Sequence, residues 1–179
     1  GAARIASVLG LDNLIMFYDC NDIQLSTETK DVMNEDTAAK YRAFGWEVFE
    51  INGNDVDQIR EALDKAKKVE GKPTLIIGKC IMGKGALKAD GSSYEANCKT
   101  HGAPLGGDAF VNTIKHLGGD PENPFQIFPE VKELYAKRAE ELKAICAERY
   151  AEDKAWADAN PEKAAQQADW LSGKAPKID

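Results

Sequence analysis

Asn13-Leu14-Ile15-Met16-Phe17-Tyr18-Asp19-Cys20-Asn21-Asp22-Ile23-Gln24-Leu25 is the stretch whose reading decides the fold. Its apolar and aromatic run, Leu14 to Tyr18, suits a strand buried on both faces. At Asp19 the composition turns polar, and Cys20, Asn21 and Asp22 follow. In open α/β sheets, ligands bind beyond the carboxyl ends of strands. The cluster therefore has two readings. It is a strand end made of ordinary turn residues, or it offers oxygen ligands to a cation beside a phosphate. In the second reading Asn21 gives a side-chain oxygen and Ile23 a backbone carbonyl. Spacing alone leaves both open.

Upstream, Ile5, Val8 and Leu9 recur at helical spacing and Gly10 fits a C-cap, which predicts a helix over Ala2 to Leu9. Downstream, Gln24 to Asn34 is polar and expected to be exposed. Asn34 or Asp36 can cap a helix that runs to about Phe44 and closes at Gly45. Trp46 to Ile51 alternates as a second strand. Asn52-Gly53-Asn54-Asp55 is turn chemistry, and Asp55 can cap a helix over Val56 to Val69 with Ile59, Leu63 and Ala66 on its apolar stripe. Lys72-Pro73 stops it, and Thr74 to Gly78 is a third strand. This alternation predicts the α/β class: a three-layer, open, mostly parallel sheet flanked by helices.

Beyond the third strand the pattern changes. Cys80 to Gly107 is glycine-rich and aperiodic, as in loops that are functional or disordered. Asp108 to Leu117 reads as a short helix and Pro121 to Pro129 as irregular. Glu130 to Tyr150 reads as a long charged helix with Val131, Leu134, Tyr135, Leu142 and Ile145 on its inner face. Ala151 to Leu171 is polar and alanine-rich, with Trp156 and Trp170 as docking points. Gly173 to Lys177 has linker composition. The expected organisation is an α/β domain over 1–120, a helical extension packed on it over 121–171, and a linker over 172–179.

The 179 residues suffice for one domain, or most of one. A net charge of −7 argues against a nucleic-acid surface, and no apolar run approaches the length of a membrane span. Four scattered cysteines, Cys20, Cys80, Cys98 and Cys146, make no close-spaced zinc pair and read as reduced thiols of a cytoplasmic protein. The chain begins at Gly1 without a Met, so the expectation is a piece of a longer protein.

Two further loops carry candidate chemistry. Gly83-Lys84-Gly85 lets backbone approach a ligand and offers a cation, or is a plain turn. His101, in Thr100-His101-Gly102-Ala103-Pro104-Leu105, sits in a glycine-rich loop and is a candidate proton shuttle or anion donor. His116 reads as a surface or packing residue. The cysteines read as passive. The charges of the long helix read as a solvated face or a subunit contact.

Taken together, these segments resemble transketolase over nearly the whole chain. The resemblance rests on Asn13 to Leu25, Glu35 to Trp46, Asn52-Gly53-Asn54-Asp55, Pro73 to Gly85 and His101 to Gly106, in that order and spacing. It implies a partial thiamine diphosphate-binding fold with a divalent metal, Mg²⁺ or else Ca²⁺ or Mn²⁺. Asn21 matches a metal ligand and Ile23 the residue giving its carbonyl to the metal. Asp19 matches an acidic position behind them. Leu25 matches an aliphatic residue near the thiazolium, and Met82 a residue flanking the cofactor. His101 matches a catalytic histidine that contacts the diphosphate and lines the substrate channel.

The resemblance also implies sugar phosphate substrates, a homodimeric parent enzyme and a pyrimidine-binding domain or chain that carries the activating glutamate. The parent would transfer a two-carbon ketol unit in the pentose phosphate pathway. Departures accompany it. The family's Gly-Asp-Gly, with its metal-ligand Asp, would precede Gly1. Cys20 stands where relatives often carry a second Asp, and Leu87 to Thr100 is longer than in many members. The expectation is an inactive fragment, the second half of a diphosphate-binding domain. The rival readings are a sister enzyme (phosphoketolase or deoxyxylulose phosphate synthase), a non-catalytic assembly module, and a mononucleotide-binding protein.

Overall fold

The computed structural model describes residues 1–173. The chain divides into two compact units, Gly1–Pro124 and Phe125–Asp179. The first holds three parallel strands, β1 (Ile15–Cys20), β2 (Glu47–Asn52) and β3 (Thr74–Lys79), in the spatial order β1-β3-β2. β3 is the central strand, and its Thr74, Leu75 and Ile76 are fully buried. The register places Met16, Leu75 and Val48 side by side on one face and Phe17, Ile76 and Phe49 on the other.

Helices α1 (Ala2–Val8) and α2 (Thr37–Ala43) cover the first face, where Ala6, Ala38, Trp46, Val48 and Leu75 form a core. Helix α3 (Val56–Ala66) covers the second through Ala62 and Ala66 against Ile76. Topology requires this division. The crossover from β1 to β2 through α2 runs one way across the sheet, and that from β2 to β3 through α3 runs back. Two right-handed crossovers in opposite directions must use opposite faces. The Trp46 indole N–H donates to the Ala3 carbonyl at 2.8 Å and so ties α1 to the entry of β2. Truncating a fully buried leucine such as Leu75 costs roughly 2–5 kcal/mol. An exposed ion pair such as Arg42–Glu50 contributes about 0–1 kcal/mol. The core therefore decides stability.

Several boundaries differ from the sequence reading. β1 runs two residues further than expected, and Asp19 and Cys20 pair in the sheet opposite Gly78 and Lys79. Backbone pairing with β3 overrides their polarity, so the loop begins at Asn21. Asp36, not Asn34, caps α2, its carboxylate accepting from the Ala39 N–H at 2.8 Å. The buried stripe of α3 is Ala62 and Ala66, with Leu63 and Ile59 half-buried.

The glycine-rich segment after β3 is an ordered turn. Tyr94 N–H donates to the Ala86 carbonyl and Lys88 N–H to the Ser92 carbonyl, both at 2.8 Å. Helix α4 (Gly107–His116) braces it: the Thr113 hydroxyl accepts from Leu87 N–H at 2.9 Å, and the Asn112 amide donates to the Lys88 and Ala89 carbonyls. His116 is exposed, as expected.

In the second unit, α5 (Pro129–Ala159) extends nine residues past the expected Tyr150. It ends where Asn160 precedes Pro161, since the proline ring disfavours helical geometry in the residue before it. Pro161 then opens α6 (Pro161–Leu171), a position where its missing N–H costs nothing. No residue of α5 is buried, so the expected inner face is not a core within this unit. Of the expected linker, Lys174 to Lys177 lie outside the described residues.

Two predictions follow from the β2–α3 turn. A Cβ on Gly53 would lie 2.9 Å from backbone atoms of Gly78. Gly53→Ala is expected to destabilise the protein by about 1–3 kcal/mol through overcrowding, read as a lower urea midpoint. Asp55 accepts the Asp57 and Gln58 N–H groups at 3.0 and 3.1 Å. Its carboxyl is held below the ordinary value, first by the Gln58 N–H and then by the Asp57 N–H and the Gln58 side chain. A lowered value means stabilisation that is present above the unfolded carboxyl pKa of about 3.9 and is lost as pH falls through the folded value. Asp55→Ala should lower the urea midpoint at pH 7, and the gap to wild type should close in acid.

Candidate functional site

The register ends all three strands level, because Cys20 and Asn52 both pair with Lys79. The loops leaving those ends enclose an open cleft of about 660 Å³. From β1 come Asn21, Asp22, Ile23 and Glu28; from β2, Asn52 and Asn54; from β3, Lys79, Cys80, Ile81 and Lys84, with Ala96 behind.

At the β1 end, the Asn21 side-chain oxygen accepts the Ile23 N–H at 3.0 Å. This short turn folds Ile23 back into the cleft wall, where it is buried and bridges antiparallel to Glu28. A carbonyl oxygen has two lone pairs, so Asn21 keeps one for a cation. Asp22 sits in the left-handed region at φ 63°, a conformation Asp tolerates. Its carboxylate pairs with Lys79. That contact, above all, raises the Lys79 ammonium above its ordinary value, with burial opposing and the Cys20 and Tyr18 fields assisting. Lys79 therefore stays cationic across the physiological range. Lys84 adds a second, exposed cation.

Asp19 lies inside β1 and is exposed, outside the cleft lining. Burial pushes the Cys80 thiol up, and a hydrogen bond to Asp19 adds to the effect. Cys80 is thus a thiol rather than a thiolate, in line with a passive role. All four cysteines are free. Leu25 is 71% exposed, and neither it, Met82 nor His101 lines the cleft. The loops that carry Met82 and His101 nevertheless touch: Ala96 N–H donates to the Met82 carbonyl at 2.9 Å, and a Cβ on Gly83 would sit 3.2 Å from the Thr100 hydroxyl. His101 is half-buried, and its Nδ1 is buried without a hydrogen-bond partner.

The lining offers oxygen to a hard cation and positive charge to an anion beside it. Asn21 and Ile23 offer neutral oxygens, and Lys79 and Lys84 stand against the carboxylates of Asp22 and Glu28. Among the described residues no group of three or more His, Cys, Asp and Glu could hold a metal by itself. Such an ion would need ligands from the anion and from elsewhere. No helix among the described residues is long and apolar enough to cross a membrane.

The sequence reading missed Lys79, Asn52 and Asn54 as cleft residues. A polar residue closing an apolar strand was the signal for Lys79. The paired asparagines of the Asn52-Gly53-Asn54-Asp55 turn carry turn chemistry and part of the resemblance, with nothing local to place them in the cleft.

Residues 1–176 match the family described as transketolase, thiamine diphosphate binding domain. A probable transketolase of Streptococcus pneumoniae is 36% identical over 179 residues, covering 98% of this chain and 26% of that protein. A transketolase of Staphylococcus epidermidis is 37% identical over 180 residues, with the same coverage. Among solved structures, a Pichia stipitis transketolase in complex with sedoheptulose-7-phosphate superposes with a TM-score of 0.84 at 32% identity, over 98% of this chain and 25% of that one. A Leishmania mexicana transketolase gives 0.85 at 28% identity, over 98% and 26%. The chain spans about a quarter of the length of these relatives. By fold and by sequence, this chain belongs to the transketolase family, within its thiamine diphosphate binding domain.

Proposed function

We propose that the strand-end cleft holds the metal-bound diphosphate end of thiamine diphosphate, and that the chain works as part of a transketolase. The observation that carries this reading is the Asn21–Ile23 turn at the β1 end, facing Lys79 and Lys84 across one cleft. Asn21 and Ile23 supply two oxygens to a divalent cation, Mg²⁺ in this reading, and Lys84 faces the phosphate charge. Asp19 supports the loop from within β1. Leu25 and Met82 flank the ring portion. His101, with its unpaired Nδ1, serves proton transfer or polarisation of the substrate. When bound, thiamine diphosphate supplies the nucleophilic carbon and electron sink for moving a two-carbon ketol unit between sugar phosphates.

The reading needs ligands that the described residues do not supply. Among the described residues β1 is paired on one side only. Helix α1 covers the same face as α2. A right-handed crossover through α1 would therefore lay any preceding parallel strand along the free edge of β1. Its carboxyl end would arrive beside Asn21. Leu14, just before β1, and Phe17 within it are 39% and 42% exposed and would be covered. The proposal extends to a homodimeric, cytoplasmic enzyme of the pentose phosphate pathway, completed by a pyrimidine-binding domain or chain.

In the full-length enzyme, Asn21→Ala should weaken thiamine diphosphate binding about 10- to 100-fold in the presence of Mg²⁺. Calorimetry checks this, and an unchanged affinity would contradict the assignment. The purified chain alone should form no sedoheptulose phosphate from a ketose phosphate and an aldose phosphate. Product above the buffer control would show that the missing ligands are dispensable.

A further inference from the structure

The turn Asn52-Gly53-Asn54-Asp55 joins β2 to α3, yet one of its side chains, Asn54, bonds across to the segment that leaves β3. Asn54 Oδ1 accepts the Ile81 N–H at 3.0 Å, 27 residues away in sequence. Ile81 is the second residue beyond β3, and Met82, Gly83 and Lys84 follow it directly. Asn54 is itself held, because its N–H donates to Asn52 Oδ1 at 3.0 Å. The Asn52 N–H donates to Gln58 Oε1 at 2.9 Å, and the Gln58 amide donates to Asp55 Oδ2 at 3.0 Å. This relay is anchored on the first turn of α3. From below, Gly53 N–H donates to the Lys79 carbonyl at 2.9 Å, and Gly53 lies close on Gly78. The turn therefore meets β3 at its last residue and again two residues later, on either side of Cys80.

We infer that Asn54 is a positioning residue: it fixes the path of Ile81 to Lys84 and so sets where Met82 and Lys84 stand toward the cofactor. The inference rests on the reading that the cleft holds the diphosphate end of thiamine diphosphate. Geometry favours this role over a purely structural one. Gly53 already docks the turn on β3 through backbone alone. The Asn54 bond adds no contact between α3 and the sheet, but it restrains an exposed segment: Ile81 is 44% exposed and Lys84 is exposed. An amide on such a segment would otherwise be left to water and the segment free to move.

The test uses the full-length enzyme with Mg²⁺, reading thiamine diphosphate affinity by calorimetry, the unfolding midpoint, and hydrogen exchange at the Ile81 amide. Asn54→Ala should abolish the protection of Ile81 and weaken cofactor binding about 10- to 100-fold, with the unfolding midpoint close to wild type. Asn54→Asp keeps an acceptor oxygen and should restore Ile81 protection, whatever its added charge does to diphosphate affinity. If Asn54→Ala fails to fold, Asn54→Leu, similar in size and without an acceptor, takes its place. Wild-type protection of Ile81 in the acceptor-less variant would overturn the inference. So would lost protection with cofactor affinity within about twofold of wild type, a change too small for a positioning role of this size. A wild-type enzyme that shows no binding of thiamine diphosphate would instead refute the cleft reading. Ile81 protection would then still decide whether Asn54 holds the segment.

Discussion

β3 is hydrogen-bonded along both edges and covered on both faces, and from this the geometry of the strand ends follows. Pairing with β1 sets Cys20 beside Lys79, and pairing with β2 sets Asn52 there as well. A shift of one residue in either register would turn that strand's buried side chains to the wrong face. The packing of Leu75 against α1 and α2, and of Ile76 against α3, forbids such a shift. The core thus aligns three loops by fixing a register, and it does so at a distance from all of them.

What stands at those ends is neutral oxygen beside two ammonium groups, Lys79 and Lys84, and two carboxylates, Asp22 and Glu28. Asp22 is the nearest carboxylate to Lys79 and is taken up in an ion pair with it. The pair leaves Lys79 charged but partly neutralised, and leaves Lys84 as the second exposed cation of the lining. Two lining residues, Asp22 and Ala96, hold left-handed backbone, at φ 63° and 50°. For Ala96 this costs roughly 1–2 kcal/mol, supported by its N–H bond to Met82. Strain of this kind persists where surrounding contacts over-determine a loop.

The alternation of strand and helix was legible in the sequence because each element carries its own periodic pattern. Apolar runs mark β1 and β3, alternation marks β2, Asp55 marks the start of α3, and Asn34 or Asp36 that of α2, where the structure selects Asp36. Strand ends were less legible. Asp19 and Cys20 look like loop by composition, and only the length of β3 beside them draws them into the sheet. The ordered turn over 86–94 was not legible, since its partners, Asn112 and Thr113, lie some 23 to 26 residues on. The end of the long helix was less legible: it runs past Tyr150 to Ala159 because alanine and alternating charge continue the helix without an apolar stripe to mark its limit. At the cleft, the polar turn after β1 marks out the segment of Asn21 and Ile23, both of which line it. Lys79 and Asn54 are not marked out, because their roles arise from register and from a contact across 27 residues.

The central claim is that the Asn21–Ile23 turn is half of a cation site shared with a diphosphate. A crystal structure of the full-length protein with Mn²⁺ and thiamine diphosphate tests it most directly, through the anomalous signal of the metal. The account predicts a single peak about 2.1 Å from Asn21 Oδ1 and from the Ile23 carbonyl, the separation of a small hard cation from oxygen, with diphosphate oxygens and a ligand from outside this chain completing the shell. A cation bound with the cofactor but away from both Asn21 and Ile23 would contradict it.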